Sequence, residues 1–234
     1  MGHLIELQDI QKYYSIGKEK LHVLKAVNIS IDQGDFLTIV GKSGSGKTTL
    51  MNSLSFLDHF DEGAYLFKGE DVTGLTENEK SQFRNEYMGF IFQQYHLIDS
   101  LTIRQNVELP LLYNKVYDKL SQKERFERVD HYLELVGIQD KKDRKPAELS
   151  GGQQQRAAIA RALINDPYVI FADEPTGALD SHTGAQIMEI LSRFNQEGKT
   201  IILVTHDADL TRYASKVIEI IDGVVHVKKG GVHA

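Results

Sequence analysis

Residues 41–48 read Gly-Lys-Ser-Gly-Ser-Gly-Lys-Thr, which has the Gly-x-x-x-x-Gly-Lys-Ser/Thr spacing of a phosphate-binding loop. The apolar run Phe36–Val40 before it is typical of a buried strand, and Thr49–Leu57 after it carries apolar residues at helical spacing. A strand, a glycine-rich turn and a helix in this order are what the motif requires. The stretch therefore predicts a phosphate site within an α/β fold.

The residue types of this loop explain its chemistry. Glycine at positions 41, 44 and 46 lets the backbone curl so that successive N–H groups point at an anion. The positive end of the following helix dipole adds to that attraction. Lys47 supplies a mobile charge for the β- and γ-phosphates, and the Thr48 hydroxyl is a hard oxygen ligand for Mg²⁺.

Composition limits the classes of function. A length of 234 residues predicts one large domain, or a core with an added lobe. The net charge of −6 argues against a nucleic-acid partner held by bulk charge, and the lack of cysteine excludes disulfides and thiolate metal sites. The polar start Met1–Glu6 does not fit a signal peptide, and no apolar run approaches the roughly 20 residues that span a bilayer.

The first third of the chain reads as a small antiparallel β layer. Residues 4–10 and 21–31 alternate apolar and polar side chains as half-exposed strands do, with a short loop expected over Tyr13–Gly17. Residues 63–72 predict a hairpin around Lys68-Gly69.

The rest of the chain alternates strands with helices. Strands are predicted at 89–92, 168–172 and 200–205, a hairpin at 217–227, and a helical lobe within 95–150. Thr76 followed by Glu79 predicts a capping box at the start of a helix. This alternation favours a mostly parallel sheet, with ligands at the carboxyl ends of its strands.

Four polar residues follow predicted strands, where a ligand of such a sheet would lie. Asp173 and Glu174 suit a division of labour in which Asp173 holds Mg²⁺ and Glu174 acts as the general base. His206 could orient the attacking water or contact the γ-phosphate, and Gln93 could bind Mg²⁺ or meet the water. Gln94 competes with Gln93 for that role.

Two further features point to nucleotide binding. Ser150-Gly151-Gly152 starts a helix and forms a second candidate anion site, either empty or completed by another copy of the chain. Tyr14 is a candidate platform for stacking on a nucleobase, with Tyr13 as its competitor.

Over nearly its whole length the chain resembles the nucleotide-binding subunit of ABC transporters. The resemblance is carried by these motifs in the family's order: Gly41–Thr48, Gln93, Leu149-Ser-Gly-Gly-Gln153, Ile170-Phe-Ala-Asp-Glu174, Ala178-Leu-Asp180 and His206. Stretches such as Asn106-Val-Glu-Leu-Pro110 and Asp173–Ser181 are similar to the macrolide-export and lipoprotein-release branch. Lys42 stands where this branch often has proline, and Ser55-Phe56 where it often has Gly-Cys.

The resemblance implies a single ABC ATPase domain with a P-loop NTPase, RecA-like core of α/β class. Its mostly parallel sheet would carry the antiparallel layer and an inserted α-helical subdomain. The core would comprise residues 1–93 and 157–234, and the helical subdomain, with the signature motif, about 94–156.

The resemblance also implies roles for individual residues. ATP would be bound by Tyr14, Gly41, Ser43, Gly44, Ser45, Gly46, Lys47, Thr48, Thr49, Gln93 and His206. Catalysis would involve Glu174, His206, Gln93 and Lys47, and Mg²⁺ would be held by Thr48, Gln93 and Asp173. Ser150, Gly151, Gly152 and Gln153 would bind the ATP of a second copy, and Asp180 would lie at the interface.

The implied assembly is a head-to-tail homodimer with two ATP molecules, docked on an integral-membrane permease at the cytoplasmic face of the membrane. A periplasmic or extracytoplasmic adaptor is a further candidate partner, and export of a drug, peptide or lipid-linked substrate is the expected activity. The alternative is an ATP-driven mechanotransmission module that moves no substrate. A soluble ABC factor would need two cassettes or long coiled-coil insertions, and neither is present.

Overall fold

The structure is a computed structural model that describes residues 2–17 and 19–229. Its strands are β1 (Ile5–Ile16), β2 (Glu19–Ile31), β3 (Phe36–Gly41), β4 (Glu62–Phe67), β5 (Glu70–Asp71), β6 (Met88–Phe92), β7 (Val169–Asp173), β8 (Thr200–Val204), β9 (Lys216–Ile221) and β10 (Val224–Lys229). Its α-helices are α1 (Lys47–Leu54), α2 (Glu77–Tyr87), α3 (Ile103–Leu112), α4 (Gln122–Leu135), α5 (Gly151–Leu163) and α6 (Ser181–Gln196). Short 3₁₀ turns occupy Gln139–Lys141, Pro146–Glu148 and Ala208–Tyr213.

These elements form two compact units. The first unit joins the described residues up to Lys80 with those from Gly198 onward, and the second unit is Ser81–Glu197. The expected division into a core of 1–93 with 157–234 and a helical subdomain of about 94–156 stays a prediction.

The first unit contains the predicted antiparallel layer, with strands in the order β2-β1-β4-β5. The hairpin expected at 63–72 is confirmed as β4 and β5. The loop expected over Tyr13–Gly17 is wrong, because β1 runs on through Tyr13 and Tyr14 to Ile16. Register shifts between Leu7 and Tyr13 interrupt the pairing of β1 with β2, so the two-residue alternation that marks a strand is broken there.

The first unit also carries the strand of the phosphate-binding loop. β3 pairs in parallel with β8 and with β9, and β10 returns antiparallel to β9, which confirms the hairpin predicted at 217–227. All residues of β8 are buried, as expected for a parallel strand covered on both faces. Because Ile39 is aligned with Val204, the segments that follow β3 and β8 leave from the same edge.

The second unit pairs β6 with β7 in parallel, so Phe92 lies beside Asp173. Helix α5 packs on β6 and also contacts α3, α4 and α6. Its approach to β6 is close, since a Cβ atom on Gly89 would lie only 2.4 Å from the Ala162 carbonyl oxygen. Glycine is therefore required at this point of β6.

Helix starts follow the capping rules that the sequence suggested. The Thr76 N–H donates to Glu79 at 2.8 Å and the Glu79 N–H donates to the Thr76 hydroxyl at 3.4 Å, which confirms the predicted capping box. Ser121 and Glu124 form the same arrangement at the start of α4.

Candidate active site

The phosphate-binding loop of the first unit has the shape of an anion site. Gly44 and Gly46 have φ angles of 76° and 109°, a left-handed backbone that glycine adopts without strain. Gly46 precedes α1, and within the described part of the chain no side chain caps this helix start. The positive end of the α1 dipole is therefore available to a phosphate group.

Two side chains of the loop are prepared for phosphate oxygens. The Lys47 ammonium donates to the carbonyl oxygens of Gly41 at 2.8 Å and Lys42 at 3.0 Å, so it is held inside the curl of the loop. The Ser45 hydroxyl is buried and has no hydrogen-bond partner among the residues that the structure describes. A buried polar group without a partner costs about 1–3 kcal/mol, and a phosphate oxygen would satisfy it.

His206 follows β8 in the first unit and is exposed. Before it, the Thr205 N–H donates to the Ile39 carbonyl of β3 at 3.2 Å, and the Thr205 hydroxyl accepts from the Asp207 N–H at 3.0 Å. Ile39 lies two residues before Gly41, where the phosphate-binding loop begins. The first unit therefore brings His206 and the loop to one edge of the sheet.

The two tyrosines of β1 are placed differently. The Tyr13 ring stacks on His22 with 4.3 Å between ring centroids. The Tyr14 side chain is 38% exposed, and its hydroxyl donates to Asp58 at 2.7 Å, just after α1. Tyr14 is therefore tied to the segment that follows the phosphate-binding loop, while one face of Tyr13 is already covered.

In the second unit the two candidate carboxylates, Asp173 and Glu174, lie at and just after the end of β7. Asp173 is its last residue, and Glu174 has a φ of 46°, in the left-handed region. A non-glycine residue in that region costs on the order of 1–3 kcal/mol, and such residues cluster at functional sites. The Gly177 N–H donates to the Glu174 carbonyl at 3.0 Å and closes a turn.

Gln93 follows β6, beside this turn. Its amide nitrogen lies 2.8 Å from where a Cβ on Gly177 would sit, so the second unit brings Gln93 and the Glu174 turn together. The next residues are held by Arg161 of α5, which donates to the Tyr95 carbonyl at 2.7 Å and to the His96 carbonyl.

The segment Ser150–Gln153 forms the start of α5. Ser150 is its N-cap, with the Ser150 N–H donating to the Gln153 side chain at 3.0 Å and the Gln153 N–H donating to the Ser150 hydroxyl at 3.4 Å. A Cβ on Gly151 would lie 2.7 Å from the Tyr95 hydroxyl. The Ser150 hydroxyl only accepts in this arrangement, so its hydrogen can still be donated to a phosphate.

Residues 24–177 match the family model described as ABC transporter. The chain belongs to the ABC transporter family.

Curated relatives support this ABC assignment. The macrolide export ATP-binding/permease protein MacB of Shigella flexneri is 48% identical over 225 residues, which cover 96% of this chain and 34% of that protein. MacB of Mannheimia succiniciproducens is 46% identical over 223 residues, covering 95% of this chain and 34% of that protein. The chain thus spans about a third of the length of the curated relatives it matches.

Solved structures confirm the P-loop NTPase fold. The dimeric post-hydrolysis state of the ATP-binding cassette MJ0796, bound to ADP and Pi, matches with a TM-score of 0.88 and 41% identity, over 96% of this chain and 98% of that chain. The cbiO1 protein of the Clostridium perfringens ABC transporter complex cbiONQ matches with a TM-score of 0.86 and 29% identity, over 98% and 89% of the two chains. The chain is an ATP-binding cassette ATPase of this family.

One residue of this ABC cassette escaped the sequence analysis. Gln155 of α5 is fully buried, and its amide nitrogen donates to the carbonyls of Pro175 at 2.6 Å and Phe92 at 3.4 Å. It thus joins α5 to the turn after Glu174 and to the strand before Gln93. The available signal was its position on the stripe of α5 that Ala158 and Ala162 share, where a polar residue is unexpected.

Proposed function

We propose that the chain is the ATP-hydrolysing subunit of an exporter and works as a head-to-tail homodimer. Each ATP would lie between Gly41–Thr48 of one copy and Ser150–Gln153 of the other. The observation that carries this proposal is the phosphate-binding loop, where Lys47 is held inside the curl and the buried Ser45 hydroxyl has no partner among the described residues. The remaining loop contacts would come from Gly41, Ser43, Gly44, Gly46 and Thr49.

In this proposal four side chains act on the reacting atoms. Lys47 spreads the charge of the γ-phosphoryl group, which stabilises the transition state. Glu174 accepts the proton of the attacking water, and its fixed left-handed backbone limits where the carboxylate can point. Gln93 and His206 orient that water; Gln93 directly follows β6, and His206 lies two residues after the end of β8.

The donor set assigned to Mg²⁺ has the right chemistry. Thr48, Gln93 and Asp173 offer a hydroxyl, an amide carbonyl and a carboxylate, all hard oxygen ligands. Residues 2–17 and 19–229 contain no cluster of three or more His, Asp or Glu that could hold a metal, and Mg²⁺ usually relies on few carboxylates plus substrate phosphates. When bound, the ion would neutralise charge on the β- and γ-phosphate oxygens.

Asp180 is proposed at the dimer interface. It is the N-cap of α6, accepting from the Thr183 N–H at 2.9 Å and from the Thr183 hydroxyl at 2.7 Å. These hydrogen bonds lower the pKa of Asp180, so the carboxylate stays charged and fixed in direction. Charge and a fixed geometry are what a residue needs to link two sites across an interface.

The proposal is tested by the dependence of hydrolysis on protein concentration. If each reaction centre needs two copies, phosphate release per chain at saturating ATP should rise with chain concentration until the dimer is populated. The measurement is specific activity over a dilution series, with oligomeric state followed by light scattering. A preparation that stays monomeric and hydrolyses ATP at the full rate would overturn the proposal.

A membrane partner is proposed because the curated relatives are described as ATP-binding/permease proteins. Among the described residues, no helix has the length and apolarity needed to cross a bilayer. We place the chain at the cytoplasmic face of the membrane, held by an integral-membrane permease. An extracytoplasmic adaptor remains a prediction from the resemblance.

The second unit carries an apolar patch that suits this partner. Leu112, Tyr113 and Val116, at the end of α3 and just after it, are 53%, 75% and 63% exposed. The buried Asn114 holds the segment in place, because its side chain accepts from the Val116 N–H at 2.9 Å and donates to the Asn85 carbonyl at 3.4 Å. An ordered apolar surface of this kind fits an amphipathic cytoplasmic segment of the permease.

Changing this patch should affect the partner and leave the isolated ATPase alone. We expect Tyr113→Ser with Val116→Ser to weaken co-purification with the permease by about tenfold, the effect of losing an exposed apolar anchor. ATP hydrolysis by the purified chain should stay unchanged. The matched control is Val227→Ser, a residue 55% exposed on β10. Equal loss with the control variant would contradict the assignment of the patch.

A further inference from the structure

The segment that follows α1 is fastened to the strand that carries Tyr14. The Asp61 N–H donates to the Gln11 carbonyl at 2.8 Å, and the Tyr13 N–H donates to the Asp61 carboxylate at 2.7 Å. Three residues before Asp61 lies Asp58, whose carboxylate accepts from the Tyr14 hydroxyl at 2.7 Å. Since α1 begins at Lys47, these bonds connect the phosphate-binding loop to Tyr14 within the first unit.

The other carboxylate oxygen of Asp58 is held by a buried cation. The Lys12 ammonium, in a side chain only 1% exposed, donates to Asp58 at 3.1 Å and to the His59 carbonyl at 2.6 Å. The His59 N–H donates to the same Asp58 oxygen at 2.8 Å. Burying the charge of Lys12 away from water is costly, so the Lys12–Asp58 pair indicates a specific positioning role for these two residues.

What the pair fixes is the Tyr14 ring. Lys12 lies 4.9 Å from the centroid of that ring, a cation–π contact, while its partner Asp58 holds the hydroxyl. Burial raises the pKa of Asp58, but hydrogen bonds from Tyr14 and Lys12 outweigh it and hold that pKa below its usual value. Burial and the bond to Asp58 raise the pKa of Tyr14. The contact is therefore a charge-assisted bond from a neutral hydroxyl to a carboxylate.

We propose that Asp58, held by the buried Lys12, is a positioning residue that sets the Tyr14 ring at a fixed place relative to the phosphate-binding loop. This inference rests on the proposed role of Tyr14 in stacking on the adenine of ATP. One face of the Tyr14 ring contacts the buried Lys12 side chain. A base can therefore reach only the exposed part of the ring. A ring that is already oriented loses less freedom when the base stacks on it.

The test compares ATP with inorganic tripolyphosphate, a probe that has the phosphates and lacks the base. Tyr14→Phe keeps the ring and removes the hydroxyl, while Asp58→Asn keeps an oxygen for Lys12 and puts an amide donor where Tyr14 needs an acceptor. Binding of both probes with Mg²⁺ is measured by calorimetry on the full chain. Each variant should weaken ATP binding by about tenfold and leave tripolyphosphate binding within about twofold of the original.

Kinetics and a double variant sharpen the result. KM for ATP should rise while kcat stays the same, because the base is bound equally in the ground state and in the transition state, and both lose the same interaction. Tyr14→Phe combined with Asp58→Asn should bind ATP no more weakly than either change alone, since both remove one interaction. The control is Asp61→Asn, which alters a carboxylate of the same segment that bonds the Tyr13 backbone.

The possible outcomes distinguish the positioning role of Asp58 from the proposed stacking of Tyr14 on adenine. If Tyr14→Ala leaves ATP binding unchanged, stacking on Tyr14 is wrong. If Tyr14→Ala weakens ATP binding while Tyr14→Phe and Asp58→Asn do not, stacking survives and the positioning role of Asp58 is wrong. Equal weakening of ATP and tripolyphosphate would also overturn it, because Asp58 would then act on the loop itself. Should Asp58→Asn fail to fold, Tyr14→Phe decides alone.

Discussion

Replacing Glu174 with glutamine is expected to lower ATP hydrolysis by about two to four orders of magnitude, the usual contribution of a general base. An amide has nearly the shape of the carboxylate but cannot take the proton of the attacking water. ATP binding should persist, so the variant should accumulate as an ATP-bound dimer. Phosphate release and size-exclusion chromatography with ATP measure both effects.

The matched control is Glu127→Gln on α4, where the exposed carboxylate forms an ion pair with Lys123 at 3.8 Å. It should hydrolyse ATP at the original rate. A Glu174→Gln variant that also kept that rate would show that Glu174 is not the base.

The second prediction with a large effect is that two inactive variants restore each other. Lys47→Met removes the charge from the phosphate-binding loop, and Ser150→Arg places a bulky cation at the exposed start of α5. Each variant alone should lose nearly all hydrolysis. In an equal mixture, heterodimers unite an intact Lys47 from one chain with an intact Ser150 from the other, and about a quarter of the original rate should return if sites act independently.

Mixing either variant with itself at the same total concentration is the control. Ser150→Arg also removes an N-cap, which costs about 1 kcal/mol, so its unfolding should be measured alongside. No recovery in the mixture, with both chains folded and dimeric, would mean that each copy contains a complete site.

Local chemistry made much of the fold predictable. The phosphate-binding loop, the capping box at Thr76 and the hairpin of β9 and β10 each depend on residues a few positions apart, and the structure has them where the sequence placed them. The carboxyl ends of β6 and β7 were also predictable, because buried parallel strands read as short apolar runs.

The errors and omissions come from contacts between distant residues. The pairing of Lys12 with Asp58 spans 46 positions, and no sequence pattern indicates that this lysine is buried. The contact of Gln155 with Phe92 spans 63 positions. The true extent of β1 was hidden because its register shifts break the alternation through Tyr13 and Tyr14.

The close approach of α5 to β6 at Gly89 and Ala162 has a consequence for motion. Backbone atoms in contact leave no room for the helix to slide along the strand, and Arg161 of α5 grips the carbonyl of Tyr95 beyond the strand's end. Gln93, which follows β6, and Ser150, at the start of α5, therefore lie on two elements that are packed rigidly together. We therefore expect a displacement of Gln93 to move Ser150 by shifting β6 and α5 together as one rigid body, with little bending of either element.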